Sequence, residues 1–381
     1  MRVRERNCVC AMTVCVSGSE IERFRSALHA TGKAALTDQK ACVHISATPG
    51  GLTITGAGRN AAIRCRVPVQ VLAPGAISVG VGAICRAADM IGSEKQVKLH
   101  EDGEALNMKF GASRLRFVRE YAMPPALTPP VGGWRPAKDL VDAVMRCAFA
   151  TARGGDAAHL LTGVRIQNGS ALATDRFRMV TMPVATEHGN LVIPGEISRI
   201  MPEALRTAEA NPQYAVANGM VYLQVEGVML AAQLLRGQYP AAERAIPDAW
   251  AASQRLDANA LVSALQQAVV VCEGPPYPVA LVPRRGGQIM EVYSESSMVG
   301  SCRTTVPVLG RTGRPSAVLL NGATLLEGIK ALRPKWCMTL RTNPDVCGLV
   351  QWEGDSAVGT PVTYYAMELT RAEETSPGQT A

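Results

Sequence analysis

Residues 160–183 read LLTGVRIQNGSALATDRFRMVTMP. The run is strand-like, yet Arg176 and Arg178 stand inside it, directly after Ala-Thr-Asp. Strands favour alternating or β-branched residues, so Asp-Arg-Phe-Arg needs a reason. That reason depends on what surrounds the stretch and on whether the chain around it repeats.

Segments with a helical period come in pairs. The first members, SEIERFRSALHATG, AKDLVDAVMRCAFAT and DANALVSALQQAVVV, start at Ser19, Ala137 and Asp257, intervals of 118 and 120 residues. The second members, VGAICRAADMIGSE, GEISRIMPEALRTAEA and NGATLLEGIKALRPK, start at Val81, Gly195 and Asn321. Strand-like runs lie between and after them, so each unit reads helix, strands, helix, strands. Such a period is far too long for a solenoid and is domain-sized. Proline-rich joints at 122–136 and 239–253 agree with it. The divisions read as an extension at 1–11, domains at 12–132, 133–249 and 250–370, and a polar, disordered tail at 371–381.

Each helix has one apolar face, with Ile21, Phe24 and Leu28, then Leu140, Val141, Val144 and Ala148, then Leu325, Leu326, Ile329 and Leu332. Ser19 with Glu22 has capping-box spacing. The opposite faces are often basic: Arg23, Arg25, Arg86, Arg146, Arg199, Arg206, Lys330, Arg333 and Lys335. Any one of these is most simply a solvated surface residue; the collective pattern is what points to a polyanion.

The totals fit this organisation. With 381 residues, 47% apolar and 19% charged, the chain is a folded protein of two to four domains. Its 39 basic against 32 acidic residues leave +7, which favours polyanions. The 11 cysteines contain Cys8-x-Cys10 but no C-x-x-C, and the five histidines are scattered. They read as reduced core thiols of a cytoplasmic protein, with neither a metal site nor a cofactor site. The basic start MRVRER precedes an alternating strand pattern from Met12, not a leucine-rich leader. No stretch is long and apolar enough to span a membrane. Metalloprotease, P-loop and G-x-S-x-G motifs are absent from the sequence.

Three tandem two-helix, β-rich units with ATDRFRM in the middle one resemble the bacterial sliding clamp, the β subunit of DNA polymerase III, over residues 12–369. Residues 160–183 match the family's L-x-G-V/M strand followed by A-T-D-x-x-R-L, and LRGQYPAAERAIP (235–247) matches the end of its second domain. The resemblance implies an α+β fold of three clamp domains, a head-to-tail homodimeric ring with helices inside and sheets outside, and sequence-independent binding of duplex DNA. It implies a non-catalytic processivity factor that tethers a DNA polymerase and the clamp loader through linear peptides.

Carried over by motif, the peptide cleft would comprise Leu161, Thr174, Arg176, Phe177, Arg178, Met179, Pro240, Arg244, Ala245 and Ile246. Tyr365, Ala366, Met367 and Leu369 of the last strand would join them. The nine basic helix residues would face DNA, and Leu115 and Phe117 would meet Val270 and Val271 of a second copy. The chain departs from the family at Arg176-Phe177, where Gly-His or similar residues are usual, and at Glu368, which takes a proline position. These departures and the basic balance point to a secondary, plasmid or phage clamp, or to one from an unusual lineage.

Two other readings compete. One is a nucleic-acid enzyme with a metal held by Asp175, Asp156 and Glu196, although no two acids recur at ligand-like spacing. The other is a clamp-fold scaffold that no longer encircles DNA. Absent the resemblance, Arg178 reads simply as a partner for Asp175.

Overall fold

The structure, a computed structural model, describes residues 12–36, 41–92, 96–154, 158–186, 189–206, 210–343, 348–356 and 361–369. The proposed extension 1–11, the tail 371–381, Cys8, Cys10, Asp156 and His188 lie outside the described residues.

The order strand, helix, strands, helix, three strands occurs three times, with five strands between the helices of the first repeat and four in the other two. The first repeat runs β1 (Thr13–Ser17), α1 (Glu20–Ala35), β2 (Cys42–Thr48), β3 (Gly51–Ala57), β4 (Ala61–Val67), β5 (Gln70–Ala73) and β6 (Gly75–Gly80). It ends with α2 (Val81–Met90), β7 (Gln96–Glu101), β8 (Ala105–Phe110) and β9 (Ser113–Glu120). The second has β10 (Arg135–Pro136), α3 (Lys138–Cys147), β11 (Gly163–Gln167), β12 (Ser170–Thr174), β13 (Arg178–Pro183) and β14 (Asn190–Pro194). Then come α4 (Ile197–Leu205), β15 (Gln213–Ala217), β16 (Met220–Val225) and β17 (Val228–Gln233). The third has β18 (Ala252–Asp257), α5 (Ala258–Val270), β19 (Pro278–Arg284), β20 (Ile289–Ser296), β21 (Gly300–Thr312) and β22 (Val318–Asn321). It closes with α6 (Gly322–Leu332), β23 (Pro334–Thr342), β24 (Leu349–Ser356) and β25 (Thr363–Met367). All six helices read from periodicity are present.

Packing divides the chain differently. Met1–Val141 with Glu196–Leu235 form one compact unit, and Asp142–Gly195 with Arg236–Ala381 form the other. Unit 1 holds a 13-stranded sheet, in which β17 of the second repeat pairs antiparallel with β4 of the first. Unit 2 holds a 12-stranded sheet, in which β13 of the second repeat pairs with β25 of the third, Arg178 opposite Ala366 and Met179 opposite Tyr365. Successive repeats are therefore joined through strand ladders, and the second repeat supplies strands to both sheets.

The helix faces bury as their periodicity requires. Ile21, Phe24 and Leu28 of α1 lie in the core of unit 1, and Leu325, Ile329 and Leu332 of α6 lie in that of unit 2. The backbone of α1 approaches β3 so closely that a Cβ on Gly56 would sit 2.1 Å from the Thr31 carbonyl oxygen.

One helix start differs from expectation. Ser19 makes no capping bond, because the Ile21 amide donates to Gly18 O (3.3 Å), which puts Ser19 inside the helical backbone. Asp257 and Asn321 do cap α5 and α6, accepting from the amides of Ala260 (2.7 Å) and Thr324 (3.1 Å). The described cysteines are free thiols, most of them buried. Burial pushes the Cys65 and Cys147 thiols up to about 12, which keeps them protonated and inert.

Candidate functional site

The site of interest lies in unit 2, at the hairpin joining β12 to β13. Asp175 turns the chain there. Its Oδ1 accepts the amides of Phe177 and Arg178, each at 3.0 Å, and the Thr174 hydroxyl donates to Arg178 O at 2.7 Å. Arg176 adopts φ 84°, a left-handed conformation that suits glycine. Its amide donates to Thr174 Oγ1 (3.1 Å), and Phe177 O accepts the Met367 amide (2.8 Å), which ties the turn to β25.

Arg178 faces the other way and is buried. Its Nε donates to Asp175 Oδ2 (2.8 Å), Nη1 to Glu327 Oε2 (2.7 Å) and Nη2 to Phe149 O (2.7 Å). The guanidinium also lies 5.4 Å from the Phe149 ring centroid. Burial by itself would raise the Glu327 carboxyl pKa. The hydrogen bonds and charges of Arg178 and Arg153 outweigh it, so Glu327 sits below the ordinary glutamate value. The pairing of Arg178 with Asp175 is real, and it fixes the turn on which the site stands.

A second segment forms the opposite wall. Gly237 has φ 140°, and a Cβ there would lie 2.9 Å from Leu160 Cδ1, so only glycine fits without displacing Leu160. The Tyr239 hydroxyl donates to Gly163 O (3.3 Å), and Arg165, buried beside that ring, pairs with Glu243. These anchors hold Pro240 and the 3-10 turn Ala242–Ala245 against the hairpin.

Between the walls is a cavity of about 430 Å³ with a largely apolar lining. Of the residues carried over by motif, Leu161, Thr174, Arg176, Arg178, Met179, Pro240, Ala245 and Met367 line it. Phe177, Arg244, Ile246, Tyr365, Ala366 and Leu369 do not. Tyr365 and Ala366 are buried within the sheet, and Phe177 is 71% exposed beside a neighbouring cavity. Ala158, Ala242, Gly348 and Leu349 also line the cavity and were not foreseen. Leu349 could be found only through its pairing with Met367, which brings β24 beside β25.

No family model matches the chain, and no curated protein matches its sequence. Solved structures do. The β subunit of DNA polymerase III from Thermotoga maritima is similar at TM-score 0.77 and 17% identity, covering 95% of this chain and 100% of that one. The sliding clamp of Bacillus subtilis gives 0.74 and 16% over the same shares. The Pseudomonas aeruginosa clamp bound to griselimycin gives 0.74 and 15%, again over 95% and 100%. The chain has the sliding-clamp fold.

The other residues carried over from clamps fall into place unevenly. Arg86, Arg199, Lys330, Arg333 and Lys335 are exposed, and Arg23 is half-buried. Arg25 bonds Glu22 (3.0 Å) and Ala88 O (3.2 Å), and Arg206 pairs with Glu22 (3.2 Å) and Glu203 (3.3 Å). Arg146 corrects the expectation. It is only 6% exposed and lies 3.5 Å from Asp142, so it is part of the packing of its helix and not of a bare face.

At the expected clamp interface, Val270 is 75% exposed, Val271 and Leu115 are half-buried, and Phe117 is 8% exposed, held in the core of its own unit. Phe117 therefore cannot present its ring to another copy as it stands. Of the ligands of the metal reading, Asp156 lies outside the described residues, and Asp175 is committed to Arg178 and two amides. No helix among the described residues is long and apolar enough to cross a membrane.

Proposed function

We propose that this chain is a non-catalytic DNA sliding clamp of three domains (12–132, 133–249 and 250–370), needing no cofactor and acting in the cytoplasm. Two copies close head to tail around duplex DNA, and the cavity beside β12, β13 and β25 receives linear peptides from a DNA polymerase, a clamp loader and other partners. The observation that carries this reading is the joining of successive repeats by strand ladders at β17–β4 and β13–β25, in a chain that matches clamps along their whole length. Repeats joined edge to edge can continue across a subunit boundary by the same means.

Two edges are available for that boundary. Among the described residues, Ser113–Val118 of β9 pair only with β8, because β6 engages just Arg119 and Glu120, and Gly300–Pro307 of β21 pair only with β20. An open strand edge seeks a partner; exposed Val118 lies on the first edge strand, and α5, which ends at exposed Val270, packs against β21. Sedimentation is expected to give twice 40.4 kDa. Leu115→Asp with Val270→Asp is expected to give folded monomers; an unchanged dimer mass would remove this assignment.

Exposed helix cations would hold DNA through phosphate contacts, which are sequence-independent and weaken with salt. Enclosure then replaces tight binding. For the cavity, Met179→Ala or Met367→Ala is expected to weaken a polymerase C-terminal peptide at least about tenfold, since interface hot spots cost about 2 kcal/mol or more and 1.4 kcal/mol is a decade. Calorimetry checks this, and wild-type affinity in both variants would move the peptide site elsewhere.

A second reading, a clamp-fold scaffold that no longer encircles DNA, is favoured by one observation. Arg25, Arg146 and Arg206 are engaged with carboxylates, which reduces the positive charge their helices offer.

A further inference from the structure

A second cavity, of about 400 Å³, adjoins the first across the 175–177 turn, and Ala158, Leu161, Arg176 and Arg178 border both. The two differ in character. The first is walled by Leu161, Met179, Pro240, Leu349 and Met367. The second adds Arg153, Asp175 and Phe177. Its charges do not balance. Arg178 is bound to Asp175 and Glu327, and Arg153 shares Glu327. Three arginines against two carboxylates leave one positive charge among the described residues, and the arginine left over is Arg176. Arg176 is exposed and borders both cavities, and its amide donates to Thr174 Oγ1, which fixes the turn that carries it. Phe177 presents its ring beside it to solvent.

We propose that the two cavities form one groove for an extended peptide whose apolar side chain fills the first chamber and whose flanking Asp or Glu is bound by Arg176 over the ring of Phe177. This rests on the reading of the first chamber as a peptide site and names the chemistry of its partner. The chain's own end is a poor occupant: TRAEETSPGQTA (370–381) carries Glu373 and Glu374 but no leucine, methionine or aromatic residue. The occupant is a separate chain with acidic residues beside its apolar anchor.

The test uses the full chain and two synthetic peptides with the same central Leu-Leu, one flanked by Asp and the other by Ser, titrated by calorimetry. A charge-assisted hydrogen bond predicts a preference of roughly tenfold or more for the acidic peptide at low salt, shrinking as salt rises. In Arg176→Gln, which keeps a side chain of similar length on the same turn, the ratio of the two affinities is expected to fall to about twofold or less. Equal affinities in the wild type would overturn the inference and leave the peptide site standing. An undiminished ratio in Arg176→Gln would overturn the role of Arg176. Binding of neither peptide would overturn the peptide site and the inference together.

Discussion

Replacing Arg178 with Met is expected to destabilise unit 2 by about 3 kcal/mol, because breaking a buried pair typically costs about 3–5 kcal/mol. The low end applies, since Glu327 keeps 37% of its side-chain exposure and water can serve it after the loss. For a unit of this size the melting temperature should fall by roughly 6–12 °C. The same network makes stability pH-dependent. Glu327 titrates lower when folded than its ordinary 4.5, so its contribution is complete above that value and is lost as pH falls through the lower folded value. Glu327→Gln should flatten that part of the acid limb, as measured by thermal melts across pH. An Arg178→Met protein that melts like the wild type would show that the network does not hold the hairpin.

In unit 1 the largest effect is expected from Gly56→Ala. The added methyl would lie 2.1 Å from Thr31 O and 2.7 Å from Thr31 C, both backbone atoms, so α1 must move off β3. Overpacking costs typically 1–3 kcal/mol and occasionally more; with backbone on both sides, about 3 kcal/mol is expected from denaturant titration. Gly82→Ala is the control. In α2 its methyl meets only Arg86 Nη1 at 3.5 Å, and a helical Gly→Ala change is neutral to stabilising by up to about 1 kcal/mol. Equal effects of the two substitutions would contradict the close approach of α1 to the sheet.

These two sites mark the limit of what the sequence makes legible. The six helices can be read because a 3.6-residue apolar period is local, and Gly237-Gln-Tyr-Pro announces its turn for the same reason. Ladder partners are not local. Nothing near Met179 announces Tyr365, nor does anything near Arg178 announce Glu327, 149 residues away. Face arithmetic put Arg146 outside because it considers one helix alone, whereas its burial comes from surroundings that the helix pattern does not encode. Arg176 shows the opposite case. Its charge and its unusual place after Ala-Thr-Asp are plain in the sequence, but the φ of 84° and the second cavity that give it a role are not.

Enclosure of DNA is tested by retention on circular against linear DNA. The protein is assembled on a nicked plasmid with a clamp loader from the same cell, separated from free protein by gel filtration, and the plasmid is then cut once. The protein is expected to co-elute with the circle in salt that abolishes ordinary phosphate binding and to be released on linearisation. Equal retention before and after the cut, or no retention on the circle, would contradict enclosure.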